Sequence, residues 1–200
     1  MKKVIFLNAP PRAGKDAIGG AINKIYRDSK LFKFSDMLKD TSHTLIGFGH
    51  SPADFFEDCK DKPNDNFPTN PETGIPYSPR EWYIFVSEQM IKPSLDNQFL
   101  GASLVTKILK DPAANGKLIV ITDSGFGSEA CPLVARFGVE NCLLVHIHRD
   151  GYDFKKDSRD FWSMEGMDLI SVRNNEIGGV ALASIARGLL TKCGAEGYGE

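Results

Sequence analysis

The chain has 200 residues, 42% of them hydrophobic and 25% charged, and its 24 Lys and Arg against 26 Asp and Glu give a formal net charge of -2. That length suits one α/β domain with a sizeable core and room for an inserted lobe, and the composition is ordinary for a soluble globular protein. A charge so close to neutral gives no reason to expect nucleic acid or an acidic membrane surface as partner, although a compact basic pocket can hide inside such an average.

Cys59, Cys131, Cys142 and Cys193 are scattered, with no Cys-x-x-Cys pair and no His spacing suited to zinc. They read as reduced thiols, two or three of them buried. The apolar run after Met1-Lys2-Lys3 is too short for a signal-peptide core, and no stretch approaches the length of a membrane span. A cytoplasmic protein is expected, and a homodimer is left open.

Taken in chain order, Val4-Ile5-Phe6-Leu7 is a continuous apolar run, as a central strand covered on both faces requires. A loop of Pro and small residues follows from Ala9 to Gly14, and a helix from Lys15 carries Ile18, Ala21, Ile22 and Ile25 on one face. Gly19 and Gly20 weaken that helix locally. Leu31 to Phe34 is a short second strand, and Ser35 or Asp36 can cap the next helix, with Met37, Leu38, Thr41, Leu45 and Ile46 as its apolar stripe. From Gly47 to Pro79 prolines punctuate a polar stretch, which reads as a long functional loop or a small irregular lobe.

Helical signals return from Pro79 to about Leu95, with Pro79 in the first turn, and again from Leu100 to Leu109. Lys117 to Thr122 is the clearest strand of the second half and ends on Asp123. A helix around Glu129 to Phe137, a strand from Cys142 to His148, a charged and aromatic segment over 149–166, a short strand at Leu169 to Val172 and a closing helix from Val180 to Leu190 complete the chain. Strands alternating with helices imply an α/β fold with a mostly parallel sheet and right-handed crossovers.

The segment Ala9-Pro10-Pro11-Arg12-Ala13-Gly14-Lys15-Asp16 has the form of a phosphate loop. After a strand, small residues let consecutive N–H groups wrap phosphate oxygens, the helix N-terminus adds partial positive charge, and a Lys opening the helix reaches the outer phosphates. Pro11, Arg12, Ala13, Gly14, Lys15, Asp16 and Ala17 are therefore the candidate nucleotide-binding residues. Two positions depart from the usual form: Ala9 stands for the first Gly, and Asp16 for the Ser or Thr that contacts Mg²⁺. A carboxylate there can hold Mg²⁺ directly or through water. The alternative is a capped strand-to-helix turn with an incidental Gly-Lys.

Read together with later segments, this loop resembles that of the deoxynucleoside monophosphate kinases of tailed bacteriophages. Gly14-Lys15-Asp16 is similar to the end of the family's loop, and Ser78-Pro79-Arg80-Glu81 to its Thr/Ser-Pro-Arg-Glu segment. Val120 through Asp123, Phe126 and Glu129-Ala130 resembles its strand ending in Asp, and Arg149 through Arg159 its Arg-bearing lid. One position departs: many relatives carry Arg between the strand Asp and the Phe, where this chain has Gly125.

The resemblance implies a P-loop NTPase-type three-layer fold over residues 1–200, with an acceptor-binding lobe at about 47–98 and a lid at about 149–166. It implies ATP as donor, a deoxynucleoside monophosphate as acceptor, and Mg²⁺ organised by Asp16 and Asp123. Lys15, Arg80, Arg149 and Arg159 are the expected catalytic cations, with Arg80 on the acceptor phosphate and the other three on the donor side, and Arg12 a further phosphate contact. If phage-encoded, such an enzyme would work in the host cytoplasm. The blander roles are a surface Arg80 pairing with Glu81 or Glu88, a helix-capping Asp123, and a solvated loop whose Lys155, Lys156 and arginines are balanced by its own aspartates. Trp82, Tyr83 and Phe85 are expected mostly in the core, with one of them open to stacking on the acceptor base. His146 and His148 share a strand face and are expected to pack or hydrogen-bond rather than hold a metal. A P-loop kinase for another small acceptor and a non-catalytic nucleotide-binding regulator are the competing functions.

Overall fold

The structure, a computed structural model, describes residues 1–49, 54–155, 157–176 and 178–195. Pro52 of the polar stretch and Lys156 of the expected lid lie outside the described residues. Five strands, β1 Val4–Asn8, β2 Ser29–Phe32, β3 Leu118–Ile121, β4 Cys142–His148 and β5 Asp168–Arg173, form one sheet in the order β2-β3-β1-β4-β5. Every pairing is parallel, with Val4 opposite both Ile119 and Cys142. The helices are α1 Lys15–Ile25, α2 Phe34–Leu45, α3 Pro79–Phe85, α4 Lys92–Ser94, α5 Phe99–Lys110, α6 Gly127–Phe137 and α7 Gly179–Cys193.

The chain divides into two compact units, one of Met1–Phe34 with the chain from Gly101 onward and the other of Ser35–Leu100. The first is the α/β unit. All five residues of β1 are buried, as expected of a central strand. Ile5 and Leu7 pack with Ile18 and Ile22 of α1 and with Ala186, Leu189 and Leu190 of α7. Val4 and Phe6 turn to the opposite face, where Phe6 meets Trp162 edge-on at 5.7 Å. At Gly19 a side chain would come within 2.5 Å of Thr122 Cγ2, so the residue that weakens α1 in sequence brings it close against the end of β3.

β2 begins and ends two residues earlier than the apolar run suggests. Its ladder with β3 pairs Ser29 with Leu118 and Phe32 with Ile121, so it stops where β3 stops. Phe34 instead opens α2, its N–H donating to Asp123 Oδ1 at 2.8 Å. The helix therefore starts one residue before Ser35, and Ser35 and Asp36 both fall in its first turn.

The second unit has its own aromatic core, in which Phe56, Phe67, Tyr77 and Trp82 gather with Val86, Ile91 and Leu100. The polar stretch is a small irregular lobe around those rings, with a 3₁₀ turn at Glu57–Cys59, a bridge between Thr69 and Pro76, and Asn64 and Asn70 accepting from N–H groups two residues on. α3 opens with a full capping box: Ser78 accepts from the N–H of Glu81, whose carboxylate accepts from Ser78 N–H at 2.8 Å. It passes through a π-helical turn at Val86–Ile91 into α4, where Pro93 has no N–H to continue an α-helical ladder.

Candidate functional site

The phosphate-loop segment leaves β1 buried and emerges as an exposed turn. Ala9 and Ala13 are buried, whereas Pro11, Arg12, Asp16 and Ala17 are exposed. Arg12 has φ 64°, the one positive φ outside glycine among the described residues, and Gly14, the N-cap of α1, has φ 94°. A left-handed non-glycine residue costs on the order of 1 kcal/mol, and such strain concentrates at ligand sites. Gly14 has no side chain to accept from the first turn of α1, so that turn keeps its donors and its positive end for an outside partner.

Lys15 stands half-buried behind this turn. Burial and the neighbouring Arg159 guanidinium push its pKa down, Asp16 and Asp123 pull it back up, and Lys33 adds to the depression. The residues that sequence reading assigned separately to loop, strand end and lid thus share one electrostatic neighbourhood. Asp16 is held by Lys33 Nζ at 2.7 Å and by the Thr122 hydroxyl at 3.2 Å, both on Oδ1. Burial alone would raise its carboxyl; the Lys33 hydrogen bond and charge, with Lys15 and Thr122, outweigh that and hold it below the ordinary carboxylate value. Among the described residues no three His, Cys, Asp or Glu side chains form a metal cage. A hydrated Mg²⁺ that arrives with phosphate needs only one or two protein carboxylates; Asp16 and Asp123 are two carboxylates near Lys15.

Arg159 is held by two hydrogen bonds to one carboxylate. Its Nε donates to Asp157 Oδ1 at 2.7 Å and its Nη2 to Oδ2 at 2.5 Å, a bidentate pair with both side chains mostly covered. That pair is the main reason its pKa is raised, with Asp123 and Glu129 contributing. Its stem runs across Gly125, where a Cβ would lie 2.6 Å from Arg159 Cγ. The glycine that departs from the resembled family's Arg therefore makes the space through which another arginine passes.

The end of the 149–166 segment is docked, not solvated. Asn8, fully buried on β1, donates to the carbonyls of Ser124 at 2.8 Å and Asp160 at 3.1 Å. Trp162 Nε1 donates to Ser124 O at 3.2 Å, and His146 Nε2 to the Trp162 carbonyl at 2.7 Å. His146 and His148 both lie against the Phe161 ring, so the histidine pair packs the segment onto β4. The earlier part is looser: Tyr152, Asp153 and Lys155 are exposed, and Lys155 pairs with Asp153. Between these parts, Pro10, Arg149, Phe154, Arg159 and Phe161 border a cavity of about 790 Å³, within the range of small-molecule sites.

Arg149 stacks over Tyr152 at 5.0 Å and donates from Nη1 to the Arg12 carbonyl at 3.1 Å, so it reaches the turn after β1. Arg80 belongs to the other unit. It is exposed and pairs through Nε with Asp61 Oδ1 at 2.5 Å, rather than with Glu81 or Glu88. Glu81 is taken by the capping box and Glu88 pairs with Lys92. Trp82 is buried and Tyr83 and Phe85 partly so, within the aromatic core. Cys142 and Cys193 are buried, with thiols pushed up to about 12 by burial, and all four cysteines are free.

Sequence reading missed Lys33, Thr122, Asn174 and Asn175, and gave Asp157 only as one of the aspartates that balance the cations of its segment, as its pair with Arg159 does. The asparagines follow β5, at the carboxyl ends of the strands where open parallel sheets bind ligands, and that position was the one available signal. In comparison with known proteins, the chain matches no family model and no curated protein sequence. Among the described residues no helix is long and apolar enough to cross a membrane.

Proposed function

We propose that this chain is a P-loop kinase that transfers the γ-phosphoryl group of ATP to a deoxynucleoside monophosphate, giving ADP and the deoxynucleoside diphosphate. The observation that carries the reading is the junction after β1: a left-handed Gly14 caps α1, and Lys15 behind it shares its electrostatic surroundings with Asp16, Asp123 and Arg159. In P-loop proteins the second acid sits at the end of a neighbouring strand, and Asp123 follows β3, which pairs with β1.

In this reading Pro11 to Ala17 hold the donor phosphates, with Lys15 on the outer ones. An acceptor phosphate oxygen attacks the γ-phosphorus as the bond to the β,γ-bridging oxygen breaks, and ADP leaves. Arg159 and Arg149 neutralise charge on the migrating group, which is where electrostatic catalysis of phosphoryl transfer gains most. Arg80 is assigned the acceptor phosphate, since its fork is exposed at the start of a capped helix and its Asp61 pair is a weak surface one. Mg²⁺ entering with ATP would shield the phosphate charge, held by Asp16 and Asp123.

The test is ADP release by purified protein with ATP and Mg²⁺, with and without each common deoxynucleoside monophosphate. Stimulation by one or more of them supports the reading. If none stimulates, the acceptor assignment is wrong, and a wider screen of phosphorylated metabolites separates another acceptor from a nucleotide-binding regulator without turnover.

A further inference from the structure

Asn174 has no part in the chemistry above, yet its side chain reaches the loop after β1 from 161 positions along the chain. It follows β5, is 5% exposed, and its backbone N–H donates to the His148 carbonyl at 2.8 Å. Its side-chain Nδ2 donates to the Ala13 carbonyl at 2.8 Å in a buried bond. The same amide lies against Gly14: a Cβ there would collide with Nδ2 and sit 3.5 Å from Cγ. Next to it, Asn175 Oδ1 accepts from Asp150 N–H at 2.9 Å and its Nδ2 donates to Asp150 Oδ2 at 2.8 Å.

We propose that Asn174 is a positioning residue for the phosphate loop, holding the Ala13 carbonyl turned away from the nucleotide so that the Gly14 and Lys15 N–H groups face it. The inference rests on the kinase reading above and deepens it. A peptide plane is rigid, so fixing the Ala13 carbonyl fixes the N–H of Gly14 on its other side. Without the anchor, the Ala13–Gly14 peptide can rotate, and a carbonyl facing phosphate repels what an N–H would bind. Glycine at 14 is needed twice over, for its φ of 94° and for room beside the amide.

Two variants separate positioning from mere support. Asn174→Ala removes the donor. Asn174→Asp keeps the shape but sets a carboxylate against a carbonyl oxygen; once protonated, it can again donate its O–H to Ala13. Both variants are expected to bind Mg-ATP about 10- to 100-fold more weakly than wild type at pH 8 by calorimetry, a loss of the size that follows removal of a buried donor. The Asp variant should recover at least a third of wild-type affinity at pH 5.5, each protein being compared with wild type at the same pH, while the Ala variant does not. Hydrogen exchange without nucleotide supplies the second readout: the bonded amides of Ala13 and Ile18, which donate to the Pro10 and Gly14 carbonyls, should exchange at least tenfold faster in both variants, and those of β1 no faster. Wild-type-like ATP affinity in the folded variants, or loop exchange at the wild-type rate, overturns the proposal. If wild type itself binds no nucleotide, the kinase reading fails, and the exchange measurement still decides whether Asn174 holds the loop.

Discussion

Replacing Gly125 with alanine tests the arrangement of the site at its tightest point. The added methyl would lie 2.6 Å from Arg159 Cγ and 3.2 Å from its Cβ, where carbon atoms ordinarily rest about 3.5–4.0 Å apart. The obstacle is a flexible stem, so Arg159 is expected to swing aside by roughly 1 Å with the backbone staying in place. What suffers is the bidentate pair with Asp157, at 2.7 and 2.5 Å. Charge-assisted bonds of this kind contribute about 1.5–3 kcal/mol, and a displaced arginine keeps part of that, so a stability loss of about 1 kcal/mol is expected. For a chain of this size that is about 2–4 °C in Tm. Activity should fall further, because a misplacement of about 1 Å can cost up to about 100-fold in rate. Steady-state ADP release should show kcat reduced about 10- to 100-fold and the ATP KM changed less than about threefold, with Arg159→Ala equally impaired and the double variant no worse than either single. A Gly125→Ala variant with kcat within twofold of wild type would refute the reasoning, since it would mean that Arg159 either is not positioned across Gly125 or does not act in the proposed transfer.

Lys15→Ala should lower kcat about 100- to 1,000-fold, as loss of a charged transition-state contact does, while thermal unfolding stays within a few degrees because the lysine sits beside the like-charged Arg159. Arg80→Ala is expected to raise the acceptor KM about tenfold or more and leave that for ATP unchanged, with little effect on Tm since its Asp61 partner is exposed. His43 and His146 are both kept largely neutral by burial, with folded pKa values below the ordinary 6.5. The unfolded chain therefore takes up protons first as pH falls through about 6.5, so stability present above that value declines on acidification and levels off below the folded pKa values. Denaturant unfolding from pH 8 to 5 should show this slope, and His146→Asn should flatten it; an unchanged slope would mean that His146 is not held neutral.

How much of the molecule was legible in the sequence follows from how far apart its partners lie. The Val4-Ile5-Phe6-Leu7 run, the loop into Lys15 and the Ser78-Pro79-Arg80-Glu81 helix start are local patterns, set by apolar continuity, capping chemistry and the fixed φ of proline, and each forms where expected. The β2 boundary was misjudged because its length is decided by its ladder with β3, not by its own apolar residues. The site divides in the same way. Lys15 and Gly14 could be named from consecutive residues, whereas Thr122 reaches Asp16 across 106 positions and Asn174 reaches Ala13 across 161. Those meetings exist because a parallel sheet gathers the carboxyl ends of β1, β3, β4 and β5 at one edge. Glycine at 125 read as the loss of an arginine until packing placed the stem of Arg159 over it. Local chemistry alone determined where the turn from β1 into Lys15 would form; only the sheet decided which distant side chains brace it and share its charge.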